Sequence, residues 1–139
     1  MPALRTYDVM ISHAWRYGED YHRLVNMLRA APNFEWRNFS IPEHDPIHST
    51  SASRIRAKLD EQVRRSQVIL MLGGVYATHS TWMQEEVDMA QSYSKPIIGL
   101  KPWGNERMSS LVQDASMAVV NWSTVSIVDA IRRYALKPQ

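Results

Sequence analysis

One glutamate in this 139-residue chain stands where a helix would bury it. Across residues 81–94 the apolar side chains Trp82, Met83, Val87, Met89, Ala90 and Tyr93, taken at about 100° per residue, cover one continuous arc. Gln84, Glu85, Asp88, Gln91 and Ser92 fill the opposite side. Glu86 falls inside the apolar arc, one turn beyond Trp82 and one turn before Ala90, whereas Glu85 is expected to face solvent. A carboxyl group set among Trp82, Met89 and Tyr93 loses hydration, which disfavours its charged form, raises its pKa and makes it a candidate for chemistry. The same placement also suits a structural carboxylate that caps loop amides or pairs with an arginine such as Arg16.

Other chemistries are excluded by what the sequence lacks. There is no cysteine, so there is no thiol nucleophile, no disulfide scaffold and no cysteine-based zinc or iron–sulfur site. Histidines and carboxylates do not share a helix at metal-ligand spacing, and no metal is expected. The segment Ser12-His13-Ala14-Trp15-Arg16-Tyr17-Gly18 holds neither G-x-G-x-x-G nor G-x-x-x-x-G-K-[ST], which removes a Rossmann cofactor site and a P-loop. Gly73-Gly74 stands where a phosphoacceptor domain needs a carboxylate, and Ser12 alone offers a hydroxyl where a flavin phosphate loop needs several.

Any chemistry at Glu86 depends on the elements that carry it. Tyr7–Ile11 reads as a first strand, and Tyr21, Leu24, Val25 and Leu28 give residues 19–30 the i, i+3, i+4, i+7 period of a helix packed on one face. Trp36–Ile41 is a second strand, the polar stretch 42–51 a loop, and Ile55, Leu59 and Val63 mark a basic helix over 53–65. Gln67–Leu72 is a near-continuous apolar run, as in a strand covered on both faces. After the helix of Glu86 come strands at 96–100 and 118–120, a short helical piece near Leu111, and a closing helix marked by Ile127, Val128 and Ile131. Such alternation predicts an α/β fold: a single flavodoxin-like domain over residues 1–139, with a five-stranded parallel sheet in the order 2-1-3-4-5 and helices on both faces. In such sheets ligands bind beyond the carboxyl ends of the strands.

Composition agrees with that class. Apolar residues make up 45% of the chain and charged ones 22%, and sixteen basic against fourteen acidic side chains give a formal charge of +2, too small a bias to argue for nucleic acid. The longest apolar run, from Val68 through two glycines to Ala77, falls short of the ~20 residues of a membrane span. The opening Met-Pro-Ala-Leu-Arg-Thr-Tyr-Asp lacks the apolar region of a secretory signal. A cytoplasmic protein without membrane or nucleic-acid partners is the expectation.

Two stretches bring a known family into view. Tyr-Asp-Val-Met-Ile-Ser-His-Ala (7–14) resembles the first box of TIR domains, a strand of the form D-V-F-I-S-H/Y. Ser80-Thr81-Trp82-Met83-Gln84-Glu85-Glu86 resembles the segment S-x-W-C-x-x-E, with methionine in place of cysteine. The likeness extends over nearly the whole chain and is closest to the compact TIR-like domains of prokaryotes, including those of the Thoeris anti-phage systems. Runs similar to Ala31-Pro32-Asn33-Phe34 and Lys101-Pro102-Trp103-Gly104-Asn105-Glu106 occur there too. In the second-strand loop this chain departs from the eukaryotic pattern, with Glu43-His44-Asp45-Pro46 and no P-G pair.

The resemblance implies an enzyme that takes NAD+ as substrate, uses no cofactor, and cleaves the nicotinamide–ribose bond to give ADP-ribose, a cyclic isomer or a conjugate as a defence signal. It places the catalytic glutamate at Glu86. Ser12, His13 and Arg16 could contact phosphates or ribose, and Trp82 or Trp15 could stack on a ring or simply pack in the core. His44 and Asp45, with His48, lie in a loop that could close over the site or merely connect two elements. Asn105, Glu106 and Arg107 stand near the end of the fourth strand. The family also implies self-association or a separate effector protein, for which the loop at 42–51 and the basic helix with Arg54, Arg56, Lys58, Arg64 and Arg65 are candidate surfaces. The alternative readings are a catalytically inert TIR-like interaction module and a nucleotide-sensing flavodoxin-like domain.

Overall fold

Strand and helix alternate along the chain: β1 (Thr6–Ser12), α1 (Gly18–Ala30), β2 (Glu35–Asn38), α2 (Ala52–Arg65), β3 (Val68–Leu72), α3 (Thr81–Ser92), β4 (Ile97–Leu100), α4 (Ser110–Ala115), β5 (Ala118–Val120) and α5 (Thr124–Tyr134). This computed structural model describes residues 5–12, 18–40, 52–73, 81–102 and 107–137, with the backbone alone at 18–20, 52–55 and 81–83. The strands form one parallel sheet in the order β2-β1-β3-β4-β5, the flavodoxin-like order that the alternation of elements predicts. No helix among the described residues is long and apolar enough to cross a membrane.

The two-residue period of the central strands feeds two cores. Val9 and Ile11 of β1 and Val68, Leu70 and Leu72 of β3 meet Leu24 and Leu28 of α1 and Ile127 and Ile131 of α5. Met10, Ile69 and Met71 instead meet Leu59 and Val63 of α2, Val87 and Ala90 of α3 and Val112 of α4. All five residues of β3 are therefore buried, as a strand covered on both faces must be.

Element ends differ from the periodicity by a few residues, each for a local reason. β2 stops at Asn38 because a side chain takes over the ladder: Phe39 still donates its N–H to the Val9 carbonyl at 2.8 Å, but Ile11 N–H donates to the Ser40 hydroxyl at 2.8 Å. α3 closes before Ser94, whose φ of 54° turns the chain left-handed, and Lys95 N–H then reaches back to the Ala90 carbonyl at 2.8 Å.

Gly73, directly after β3, has no room for a side chain. A Cβ there would stand 2.4 Å from the Leu100 carbonyl oxygen and 2.6 Å from Met108 Sδ. The carbonyl cannot yield, because it accepts the Gly73 N–H at 2.8 Å within the sheet. At Gly99 the nearest obstacles are side chains, Ser116 Oγ at 2.8 Å and Val112 Cγ1 at 3.1 Å. Gly73→Ala is expected to cost about 2–3 kcal/mol in urea unfolding, near the upper end for overpacking, and Gly99→Ala less. The opposite ranking would contradict the steric account.

Candidate functional site

Ser12 is the last residue of β1 and lies in register with Met71 of β3, so its side chain stands at the carboxyl edge of the sheet. The strand's alternation puts it on the face of Met10, the one that α2, α3 and α4 cover. Glu86 comes to the same face from the middle of α3, next to the core residue Val87. Both are almost shielded from water, Ser12 at 1% exposure and Glu86 at 5%.

The Ser12 hydroxyl donates to the Glu86 carboxyl, while Glu86 Oε2 has no hydrogen-bond partner among the described residues. Burial pushes this carboxyl up to about 8, and the hydrogen bond from Ser12 only partly opposes the shift. Glu86 therefore holds its proton at neutral pH and releases it within reach of physiological conditions.

Glu85, one residue earlier, has the opposite fate. It does not simply face solvent: Arg56 of α2 grips it through Nε at 3.0 Å and Nη2 at 2.8 Å, leaving the glutamate side chain 30% exposed. The guanidinium's hydrogen bonds hold the Glu85 carboxyl below the ordinary carboxylate range. A second tie between the same helices runs from Tyr93 Oη to the Asp60 carboxylate at 2.9 and 3.0 Å, so Tyr93 joins α3 to α2 rather than only filling the apolar arc.

The end of β1 is fixed from the β2 side. Ser40 N–H donates to Asn38 Oδ1 at 2.9 Å, Asn38 Nδ2 donates to Tyr21 Oη at 2.9 Å, and Gln62 Nε2 of α2 donates to the Phe39 carbonyl at 2.8 Å. Ser12 and Glu86 thus meet between two braced elements, the condition for a carboxyl held in one geometry.

Of the residues singled out by sequence, the structure brings Ser12 and Glu86 together. The backbone of Trp82 lies one turn before Glu86 in α3, and its side chain is outside the described residues. His13, Trp15, Arg16, His44, Asp45, His48, Asn105 and Glu106 also lie outside them, and Arg107 is exposed. No group of three or more His, Asp and Glu among the described residues could hold a metal ion. The ties Arg56–Glu85 and Tyr93–Asp60 are absent from the sequence reading. Their partners are 29 and 33 residues apart on different helices, where a helical wheel carries no signal. The basic face of α2 is accordingly less free than expected, since Arg56 is engaged by Glu85 and Arg65 lies 3.6 Å from Glu61.

The raised pKa makes a stability prediction. With about 8 in the folded state against an ordinary 4.5, the native protein keeps a proton that the unfolded chain releases. The stability this contributes is complete below about pH 4.5 and is lost as pH rises towards 8. Glu86→Gln keeps the shape and never ionises. Urea unfolding should find the two proteins alike near pH 4 and the variant more stable by on the order of a few kcal/mol near pH 8. A difference independent of pH would contradict the burial-driven shift.

In overall structure the chain is similar to the Clostridium botulinum CMP N-glycosidase BcmB, at 15% identity and a TM-score of 0.55 over 91% of this chain and 99% of that one. It is also similar to a conserved protein from Enterococcus faecalis V583, at 10% identity and a TM-score of 0.65 over 93% and 99% of the two chains. At such identities the likeness is one of fold. Comparison with curated protein sequences finds no match. The family model described as Thoeris protein ThsB, TIR-like domain, matches residues 10–107, a stretch that holds Ser12, Glu86 and the strands between them. The chain belongs to the Thoeris ThsB TIR-like domain family.

Proposed function

We propose that this protein cleaves NAD+ at the nicotinamide–ribose bond, as a glycohydrolase or cyclase whose product serves as a defence signal, with Glu86 as its catalytic residue. The observation that carries the reading is the Glu86 carboxyl: buried at the carboxyl edge of a parallel sheet, held by one hydroxyl and shifted to about 8 by desolvation. Membership of a TIR-like family supports it. So does the fold shared with a protein named as a CMP N-glycosidase, which breaks a bond of the same class.

The chemistry asks for little more than this. When the C1′–N bond breaks, its electron pair goes to the pyridinium nitrogen and nicotinamide leaves neutral, so no general acid is needed. Positive charge moves to the ribose, as in the oxocarbenium-like state of glycoside hydrolysis, and an ionised carboxylate stabilises it. The cationic nicotinamide ring of bound NAD+ favours that ionised form, pulling the Glu86 pKa down as the substrate docks. Water at C1′ gives ADP-ribose and one proton; a nucleophile within the same molecule gives a cyclic isomer. Ser12, almost fully buried, positions the carboxyl. His13, Trp15, Arg16, His44, Asp45 and Trp82 are the side chains we assign to holding the substrate.

Purified protein incubated with NAD+ should release nicotinamide, measured by chromatography. Glu86→Gln is expected to lose about 10²–10³-fold in kcat, the scale of removing one electrostatic stabiliser, whereas Glu85→Gln at matched thermal stability stays close to wild type. Equal loss in both, or activity kept in Glu86→Gln, sinks the assignment. In the wild type, kcat/KM should rise with pH through about 8, because the free enzyme must lose the Glu86 proton. Ser12→Ala removes a donor that favours the ionised form and should move that rise to higher pH. EDTA should leave the rate unchanged, since departure of a neutral leaving group needs no Lewis acid; loss with EDTA and recovery with one divalent ion would overturn that point.

A further inference from the structure

At the amino ends of the strands, opposite Ser12 and Glu86, lies a cleft of about 590 Å³. Arg37 of β2, Arg64 and Arg65 of α2, Lys95 before β4 and Lys137 after α5 all line it, against one carboxylate, that of Asp8. The elements that meet there come from both sides of the sheet.

Two features separate this cluster from an ordinary solvated helix face. First, like charges share one cleft, and two of them influence each other. Lys95 is partly buried, and its ammonium is held below the ordinary lysine range by desolvation and then by Arg64. Neither Arg64 nor Lys95 has an acidic partner among the described residues, whereas Arg37 is paired with Asp8 and Arg65 leans on Glu61. Asp60, one turn before Arg64 on α2, accepts the Tyr93 hydroxyl. Second, several backbone carbonyls of the lining already accept hydrogen bonds: that of Asp8 from Gln67 N–H, that of Gln67 from Leu136 N–H and that of Leu136 from Arg5. Cationic donors outnumber the carboxylate among the side chains lining the cleft.

From this geometry we infer that the cleft is a binding site for a small molecule carrying two or more phosphate groups, separate from the Glu86 site and independent of the activity proposed for it. Guanidinium forks suit phosphate oxygens in pairs, and the volume falls within the roughly 300–1,000 Å³ of small-molecule pockets. A polyphosphate relieves the repulsion between Arg64 and Lys95, so their like charge is a standing preference for such a ligand. The concave placement of the cations favours a compact ligand over the exposed stripe that a nucleic-acid duplex would need.

Inorganic tripolyphosphate is the probe. Calorimetric titration of the intact protein should show one site that weakens with added salt and takes orthophosphate far more weakly. Arg64→Gln/Lys95→Gln should lower tripolyphosphate affinity at least tenfold, while its melting temperature without ligand stays close to wild type, because neither side chain has an acidic partner among the described residues. Glu86→Gln should bind tripolyphosphate as the wild type does, which keeps this result apart from the fate of the proposed activity. No binding by wild type, undiminished binding by the double variant, or a DNA duplex outcompeting tripolyphosphate at equal phosphate concentration would each overturn the inference.

Discussion

Five consecutive side chains, Val68 to Leu72, must be kept from water on both sides of one strand, and this requirement organises the molecule. A strand buried on both faces needs helices above and below it, and short right-handed crossovers then leave the carboxyl ends of the strands on one common edge. Leu70 and Leu72 draw α1 and α5 to one face; Ile69 and Met71 draw α2, α3 and α4 to the other. The second group includes the helix of Glu86. The carboxyl lies beside Ser12 because the apolar residues around it, Val87 and Ala90, have no other place to go. Hydrophobic burial, acting on neighbours, carries a polar group where it would not go alone.

Glu85 and Glu86 show how finely one helix can divide its electrostatics. A step of about 100° separates a carboxylate stabilised by an arginine fork from a carboxyl that is desolvated and offered one hydroxyl. The first ties α3 to α2 and tolerates solvent. The second gives up hydration that one hydroxyl among the described residues only partly replaces.

Much of this was readable in the residue order. Tyr21, Leu24, Val25 and Leu28, the apolar run of the third strand, and the alternation of elements give the class of fold and its strand order. Glu86 stands out by its position within a helical period. Legibility ends where contacts join distant parts of the chain. Arg56–Glu85 and Tyr93–Asp60 depend on the relative rotation of two helices, and the Ser12–Glu86 contact on a strand and a helix 74 residues apart meeting at one edge. The cationic cleft draws on five separate segments, so its members look like scattered surface charges until the sheet gathers them. The early end of β2 is likewise set by one serine hydroxyl replacing a backbone acceptor, which no propensity reports.

The close approach at Gly73 also limits what this sheet can become. An aspartate at that position would turn the strand end into the kind of carboxylate edge on which phosphoacceptor chemistry is built. Any Cβ there meets the Leu100 carbonyl of the adjoining strand before its functional group is reached. No single substitution at this position opens that route, because β4 would have to move, and with it the hydrogen bonds that carry β5. At the end of β3, then, the site takes its carboxyl from the neighbouring helix α3 and not from the strand itself.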